Sequence, residues 1–432
     1  MKICDLTQSY TANSGGVRTY IDAKRNYIQE KTNYQQILIV PGASDSVIQN
    51  DRLKTYHVKA PLIPKCEPYR FIYRLDKVFS ILKTEQPDII ELGSAYTLPW
   101  AAFAFRRIHH CAVFGFYHTD FPTAYIKPTF TQKFGEKWGR RFEKYAKFYA
   151  RLVYQKCNGT ITASHIFEDK LKQFKIHNLK YLPLGIDAQA FHPRKRDAEF
   201  RKQLGLTDSD ILLLYVGRFD SEKRIWVILD AFEKLPQPHH YSLMLVGDGP
   251  LRTSLMAKFA QNPRVHIFPY ENHREKLARI FASADIYVTA GPHETFGLCV
   301  LEAQACGLPV VGVNAGALIE RVSASVGRLG AVDSADEMAM NIHTIAQNGF
   351  YEKGKAAREL VEAEYSWEKV FEQLFQYYRQ IYHLTQKKNL NQRERIYPPL
   401  FDLSNYFGAL RNPDQPVNDE ADLINEDKFS EH

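Results

Sequence analysis

Residues 291–311 read GPHETFGLCVLEAQACGLPVV. They lie between two short apolar runs, DIYVTA at 285–290 and LPVVGV at 308–313, which overlaps the quoted end. Strand, glycine-rich loop, short apolar helix and second strand form the repeating unit of a parallel sheet covered by helices. Two carboxylates interrupt this pattern. Glu294 falls in the loop after the first strand, and Glu302 falls inside the helix among Cys299, Val300, Leu301, Ala303, Ala305 and Cys306. A charge among apolar neighbours is costly unless it is paired or faces a ligand. Glu302 therefore either finds an arginine or solvent, or accepts hydrogen bonds from vicinal hydroxyls such as those of a ribose. Gly297 and Leu298 open the helix, where free backbone amides suit phosphate oxygens.

The same unit repeats on both sides of this stretch. ILLLYVG (211–217), YSLMLVG (241–247) and RVHIFPY (264–270) are strand candidates, each followed by an amphipathic stretch. Earlier, a strand near 1–6, QILIV (36–40), PDIIEL (87–92), CAVFGFY (111–117) and GTITAS (159–164) form a separate series, with helices expected at 97–106 and 134–156. The segment 183–197 joins the two series. The expected organisation is an N-terminal Rossmann-like domain over 1–185, a linker over 186–200 and a second Rossmann-like domain over 201–366. A helix over 367–388 would then pack across both, followed by an acidic, partly disordered tail over 389–432. Open α/β sheets bind ligands beyond the carboxyl ends of their strands, so the loops there are the places to look for function.

Those loops carry a consistent chemistry. NSGGVRTY at 13–20 places Gly15 and Gly16 at the start of a helix, where they permit a tight turn near an anion. GRFDSEKR at 217–224 puts Arg218 and Lys223 just past a strand; a planar donor fork and a mobile ammonium suit a diphosphate, although a solvated charge cluster has the same composition. VGDGP at 246–250 offers Gly247 at another turn, open to a nucleotide base edge or a simple change of direction. His118 begins the HTD that follows a buried strand, a place suited to a cleft residue or to a satisfied core histidine. DSD at 208–210 resembles a metal-binding pair but precedes its strand, on the wrong edge of the sheet.

Composition narrows the classes. The 432 residues are 45% apolar and 24% charged, sufficient for two or three domains. Six scattered cysteines without a CxxC pair read as reduced core residues of a cytoplasmic protein. No apolar run approaches a membrane span, and the first residues do not read as a signal peptide. The net charge of +7 hides an acidic end: residues 401–432 carry eight acids against two bases, leaving +13 on residues 1–400. That excess favours an anionic partner. A GxGxxG after a strand is missing, which disfavours a dinucleotide oxidoreductase. Nucleic-acid binding would use the basic excess but leaves Glu302 without a purpose.

In order and spacing, SGGV, YHTDFP, GRFDSEK, VGDGP and HETFGLCVLEAQACGLPVV resemble the retaining glycosyltransferases of family 4, in the GT-B superfamily, over roughly residues 1–385. That family includes bacterial mannosyl-, glucosyl- and galactosyltransferases. The resemblance implies two Rossmann-like domains facing a central cleft and same-face transfer of a hexose from a nucleoside-diphosphate sugar without a metal or other cofactor. It places Glu294 and His118 against the donor sugar, Glu302 on the ribose, and Arg218 and Lys223 on the diphosphate. The loop Phe296, Gly297 and Leu298 would supply backbone donors, while Gly15 and Gly16 would lie near the diphosphate and acceptor. GDP-mannose or UDP-glucose is the expected donor, and a lipid-linked or saccharide glycan the expected acceptor.

A glycogen- or sucrose-synthase-like enzyme acting on a soluble acceptor and a non-catalytic scaffold are the alternatives. The chain departs from the family's common Glu-Gly-Phe-Gly in having Thr295, which lacks glycine's backbone freedom. Within 134–156, Trp138, Phe142, Tyr145, Tyr149 and Leu152 recur at helical spacing among Lys137, Arg140, Arg141, Lys144, Lys147 and Arg151. Such a stripe suits either the core or peripheral contact with the anionic inner face of a cytoplasmic membrane.

Overall fold

A computed structural model of the chain describes residues 1–11, 15–63, 68–236, 241–348 and 350–390. Two sheets form. The first contains β1 (Lys2–Leu6), β2 (Gln35–Gly42), β3 (Ser46–Asn50), β4 (Leu53–Lys59), β5 (Ile89–Leu92), β6 (Ala112–Phe116), β7 (Gly159–Thr162) and β8 (Leu179–Tyr181). The second contains β9 (Ile211–Val216), β10 (Tyr241–Val246), β11 (Val265–Phe268), β12 (Ile286–Val288), β13 (Val310–Val313) and β14 (Gly327–Gly330). Their orders are β3-β4-β2-β1-β5-β6-β7-β8 and β11-β10-β9-β12-β13-β14. Every pairing is parallel except β3 with β4.

These orders explain why the apolar strands read so clearly. Helices cover both faces, so β6 and β10 are buried along their whole length and need not alternate. Each sheet reverses its winding direction at one place, between β1 and β5 in the first and between β9 and β12 in the second. Ligands of open α/β sheets settle in the crevice at such a reversal. The loops after β9 and β12 hold Arg218, Lys223 and Glu294.

The first reversal is held by a buried ion cluster that the sequence did not disclose. Asp5 of β1 and Glu91 of β5 are register partners, side by side on adjacent strands. Lys24, fully buried on the helix Gly16–Lys31, contacts Asp5 and donates to Glu91 at 3.0 Å. Tyr20, one turn earlier, donates to the other Glu91 oxygen at 3.0 Å, and Tyr378 donates to it as well. Burial pushes the Asp5 carboxyl up to about 6, against the pull of Lys24.

Tyr378 lies on the helix Trp367–Leu390, which leaves the second lobe and lies along the first. Tyr382 donates to Asp88 at 2.9 Å and Tyr377 to the Tyr181 carbonyl at 3.2 Å. The chain thus crosses between lobes twice, and the crossings touch. Ile186 bridges Ser366 and donates to the Tyr365 carbonyl at 2.7 Å. A Cβ on Gly185 would stand 2.7 Å from the Trp367 backbone, so only glycine admits this contact.

Several local expectations change. The strands β3, β4, β8 and β14 join edges that the apolar runs did not mark. The helix expected at 134–156 starts at Glu136, because Gly135 adopts φ 85° and ends a preceding helix, Lys127–Phe134. The acidic segment 391–432 lies outside the described residues, and the closing helix runs through 389 and 390.

Replacing Lys24 with Met would leave two adjacent carboxylates buried without a cation. We expect Lys24→Met to destabilise the fold by about 3–5 kcal/mol, read as a lowered urea midpoint.

Candidate active site

The second lobe builds most of the site. After β9, the chain turns through Asp220, whose side chain caps the short helical turn Ser221–Lys223 by accepting from the Lys223 amide at 3.2 Å. Arg224 follows in the left-handed region, φ 53°, and starts the helix Ile225–Glu233. This tight path directs Lys223 back over Gly291, where a Cβ would lie 3.2 Å from its Cδ. The Lys223 ammonium reaches Glu294 at 2.5 Å and Glu222 at 3.9 Å. Burial alone would lower its pKa, but Glu294 and Glu222 hold it well above the usual lysine value. Lys223 therefore stays charged in a half-enclosed site. Arg218 pairs with Asp220 at 3.1 Å and lies over the ring of Tyr69, from the first lobe, at 5.5 Å.

The loop 291–297 is braced from below. Gly316, after β13, adopts φ 56°, and a Cβ there would approach the Pro292 and Glu294 carbonyl oxygens within 2.9 Å. The next amide, of Ala317, donates to the Glu294 carbonyl at 2.8 Å. Sequence reading passed over Gly316; the only signal was a glycine soon after a strand. Gly297, with φ 84°, is the turn into the helix Leu298–Ala305, whose first amides have no acceptor within their own helix. Phe296 is buried, with its ring 4.4 Å from the Arg321 guanidinium. Its side chain anchors the loop, leaving only its backbone for a ligand.

Glu302 is buried, as its neighbours predict. Burial pushes its carboxyl up to about 7, with Arg274 and the hydrogen-bonded Cys299 thiol pulling the other way. Its side chain is enclosed and, among the described residues, it makes no ion pair within 4.0 Å.

The other glycines divide. Gly247 is required by packing: a Cβ would collide with the Gly217 carbonyl at 1.9 Å, so the meeting of two strand ends explains this residue without a ligand. Residues 12–14 of the expected turn before Gly15 and Gly16 lie outside the described residues; Gly15 itself has φ −67° and ψ −111°, neither glycine has positive φ, and a Cβ on either would meet nothing within 4 Å.

On the first lobe, His118 stacks on Phe116 at 3.9 Å and lies 5.5 Å from the Tyr20 ring. Burial, with Lys24 adding to it, drives its pKa down to about 3. His118 is neutral at physiological pH, able to exchange hydrogen bonds but not to act as an imidazolium acid. Its neighbour Asp120 is structural, buried against Lys170 and accepting from Tyr117 at 2.8 Å. A π-helical turn at Pro122–Ile126 follows and presents Tyr125 to Glu222 of the second lobe through a hydrogen bond. Thr295 donates to the His118 carbonyl at 2.7 Å. Glu320 accepts the His165 and Ile166 amides at 3.1 and 2.6 Å, capping the helix His165–Gln173 of the first lobe. The site residues of the two lobes thus face one another across a single cleft.

Two doubly wound lobes, with Arg218, Lys223 and Glu294 at the winding reversal of the second, have the architecture of a GT-B glycosyltransferase. The family assignment agrees. Residues 14–190 match Glycosyltransferase Family 4 and residues 196–367 match Glycosyl transferases group 1, and the chain belongs to this family of nucleotide-sugar-dependent transferases. It is 29% identical over 375 residues to the GDP-mannose-dependent alpha-(1-6)-phosphatidylinositol dimannoside mannosyltransferase of Mycobacterium tuberculosis, covering 85% of this chain and 93% of the relative. It is 27% identical over 398 residues to a GDP-mannose-dependent alpha-mannosyltransferase of Corynebacterium glutamicum, covering 90% and 91%. The fold matches sucrose-phosphate synthase from Thermosynechococcus elongatus with a TM-score of 0.74 at 21% identity, covering 89% of this chain and 100% of that one. It also matches Anabaena HepE, solved with UDP-glucose, with a TM-score of 0.68 at 17% identity, covering 87% and 98%.

Among the described residues, no group of three or more His, Cys, Asp and Glu is placed to hold a metal ion. Asp210 of the DSD instead accepts from the Thr207 hydroxyl at 2.7 Å.

A ligand held by hydroxyls on Glu302 needs its carboxylate ionised. Nucleotide affinity should therefore fall as pH drops below about 7 and level off above it. Titration calorimetry across that range should show this slope in the wild type, and Glu302→Gln should bind more weakly and lose the slope.

Proposed function

We propose that the protein transfers a hexose, with mannose from GDP-mannose favoured over glucose from UDP-glucose, to a lipid-linked or saccharide acceptor with retention of anomeric configuration. The observation that carries this reading is the assembly of Arg218, Lys223, Glu294 and buried Glu302 around one loop at the second winding reversal. The mannose preference rests on the GDP-mannose-dependent relatives.

Cleaving a sugar–phosphate bond builds negative charge on the leaving diphosphate and positive charge at the anomeric carbon. In our reading, Arg218, Lys223 and the amides at Gly297 and Leu298 take up the first in a cleft that excludes water. Glu294 lies beside Lys223 and stabilises the second without bonding to it. His118, held neutral, hydrogen-bonds the sugar, and Glu302 holds the ribose. The departing phosphate then helps to deprotonate the acceptor on the same face, and no metal takes part. A covalent sugar trapped on Glu294 would exclude this mechanism.

The helix Glu136–Gln155 supports a surface-bound acceptor. Its aromatic stripe is divided: Tyr149 is tied to the Tyr96 carbonyl and accepts from Trp100 at 3.0 Å, while Trp138 is 46% exposed. Phe134, on the adjoining helix, is 58% exposed, and Lys133, Lys137, Arg140, Arg141 and Lys144 are exposed around the pair. The core-facing reading fits the second half of the stripe and the membrane reading the first. Among the described residues, no helix is long and apolar enough to cross a membrane, so the contact proposed is peripheral.

Thermal-shift measurements with GDP, UDP, ADP and their sugars should show selective stabilisation by one nucleotide, GDP first; a response to none would reject the reading. Arg218→Ala should lower kcat about a hundredfold, equivalent to about 3 kcal/mol of transition-state stabilisation. Sedimentation with vesicles should depend on anionic lipid and salt and weaken in Trp138→Ser.

A further inference from the structure

Thr295 occupies the position where a glycine would be the permissive choice, yet its backbone is not among the positive-φ residues. The strained turn is made by Gly297 and the bracing close approach by Gly316. Glycine at 295 would therefore relieve nothing, whereas threonine supplies a hydroxyl. That hydroxyl crosses the cleft to the His118 carbonyl at 2.7 Å.

Both ends of this bond are firmly held. On one side, Glu294, the preceding residue, is fixed by Lys223 and by the Ala317 amide on its carbonyl. On the other, the His118 ring is stacked on Phe116 and its amide donates to the Phe116 carbonyl at 3.0 Å. The hydroxyl thus joins two rigid pieces, each next to a group that the proposed function places against the transferred sugar. Among the described residues, Glu320 also accepts the His165 and Ile166 amides, Arg321 donates to the Ala163 carbonyl, and Tyr125 meets Glu222 across the lobes, but none of these bonds ties the Glu294 loop to His118.

We propose that Thr295 is a positioning residue: when the lobes close, its hydroxyl fixes the spacing between the Glu294 loop and His118, and so aligns the donor sugar with the acceptor. The inference rests on the transferase reading above. It concerns the alignment step, because the bond joins the loop of Glu294 to His118, the two residues that the proposed function places against the sugar. Loss of the hydroxyl should lower kcat and leave nucleotide binding in place.

The test compares Thr295→Val, which keeps the branched shape and removes the hydroxyl, with Thr295→Ser, which restores it. With the nucleotide sugar that supports wild-type turnover, Thr295→Val should lose about tenfold in kcat, the scale of one neutral hydrogen bond, and Thr295→Ser should recover most of it. Nucleotide affinity measured without acceptor should stay within about twofold in both variants, inside the spread of a single neutral hydrogen bond. In nucleotide-bound protein carrying one spin label on the outer face of each lobe, the interlobe distance distribution should broaden in Thr295→Val and return to wild type in Thr295→Ser. An unchanged kcat, an unchanged distance distribution, or a loss confined to nucleotide affinity would each overturn the inference. If no nucleotide sugar supported wild-type turnover, the transferase reading would fail, and the distance measurement would still decide whether Thr295 holds the lobes together.

Discussion

Lys24 between Asp5 and Glu91 is the interaction on which the architecture depends. Parallel strands place their side chains in register, and here the register puts two carboxylates side by side at the winding reversal of the first lobe. One buried ammonium satisfies both, and hydroxyls from Tyr20 and Tyr378 complete the remaining acceptor positions on Glu91. Since removing one partner of a buried ion cluster leaves an uncompensated charge, the five side chains stand or fall together. Two of them lie on the helix that begins at Gly16, and one lies on the closing helix. The same cluster thus sets the angle of the helix beside the cleft and returns the end of the fold to its beginning. Tyr20 also packs against His118, so the ionic core of the first lobe supports its candidate sugar-facing residue directly.

The second lobe uses charge differently. There the buried cation, Lys223, meets carboxylates at the mouth of the cleft, and the deep carboxylate, Glu302, makes no ion pair within 4.0 Å among the described residues, with the Cys299 thiol hydrogen-bonded to it. The first lobe's charges are satisfied internally and the second lobe's only in part. The neighbouring loop is braced by the turn at Gly297 and the close approach at Gly316, which in the proposed function would limit reorganisation on binding an anionic, hydroxyl-bearing ligand.

How much of this the sequence disclosed follows from range. The interior strands were legible because continuous burial makes them continuously apolar, as in β6 and β10, whereas β3, fully exposed along an edge, carries no such mark. Glu302 was legible because a lone charge in an apolar helix is a local anomaly, and its burial followed. Lys24 was not, because NYIQEK and DAKRNY look like any polar helical surface and its partners are 19 and 67 residues away. Gly247 and Gly15 show the opposite difficulty: identical residues in similar loops, one explained by a carbonyl at 1.9 Å and the other by no neighbour at all. Thr295 looked like a defect in a loop pattern, since its hydroxyl's partner comes 177 residues earlier in the chain.

The paired crossings at Ile186 and Tyr365 have a mechanical consequence. A single tether would let two bodies swivel and twist freely, but two tethers bonded to each other and pressed together at Gly185 share one pivot. Relative motion is then confined largely to opening and shutting about that pivot, like a book on its spine. Pages so bound meet at the same lines on every closure, which lets residues on opposite leaves share the same reactant.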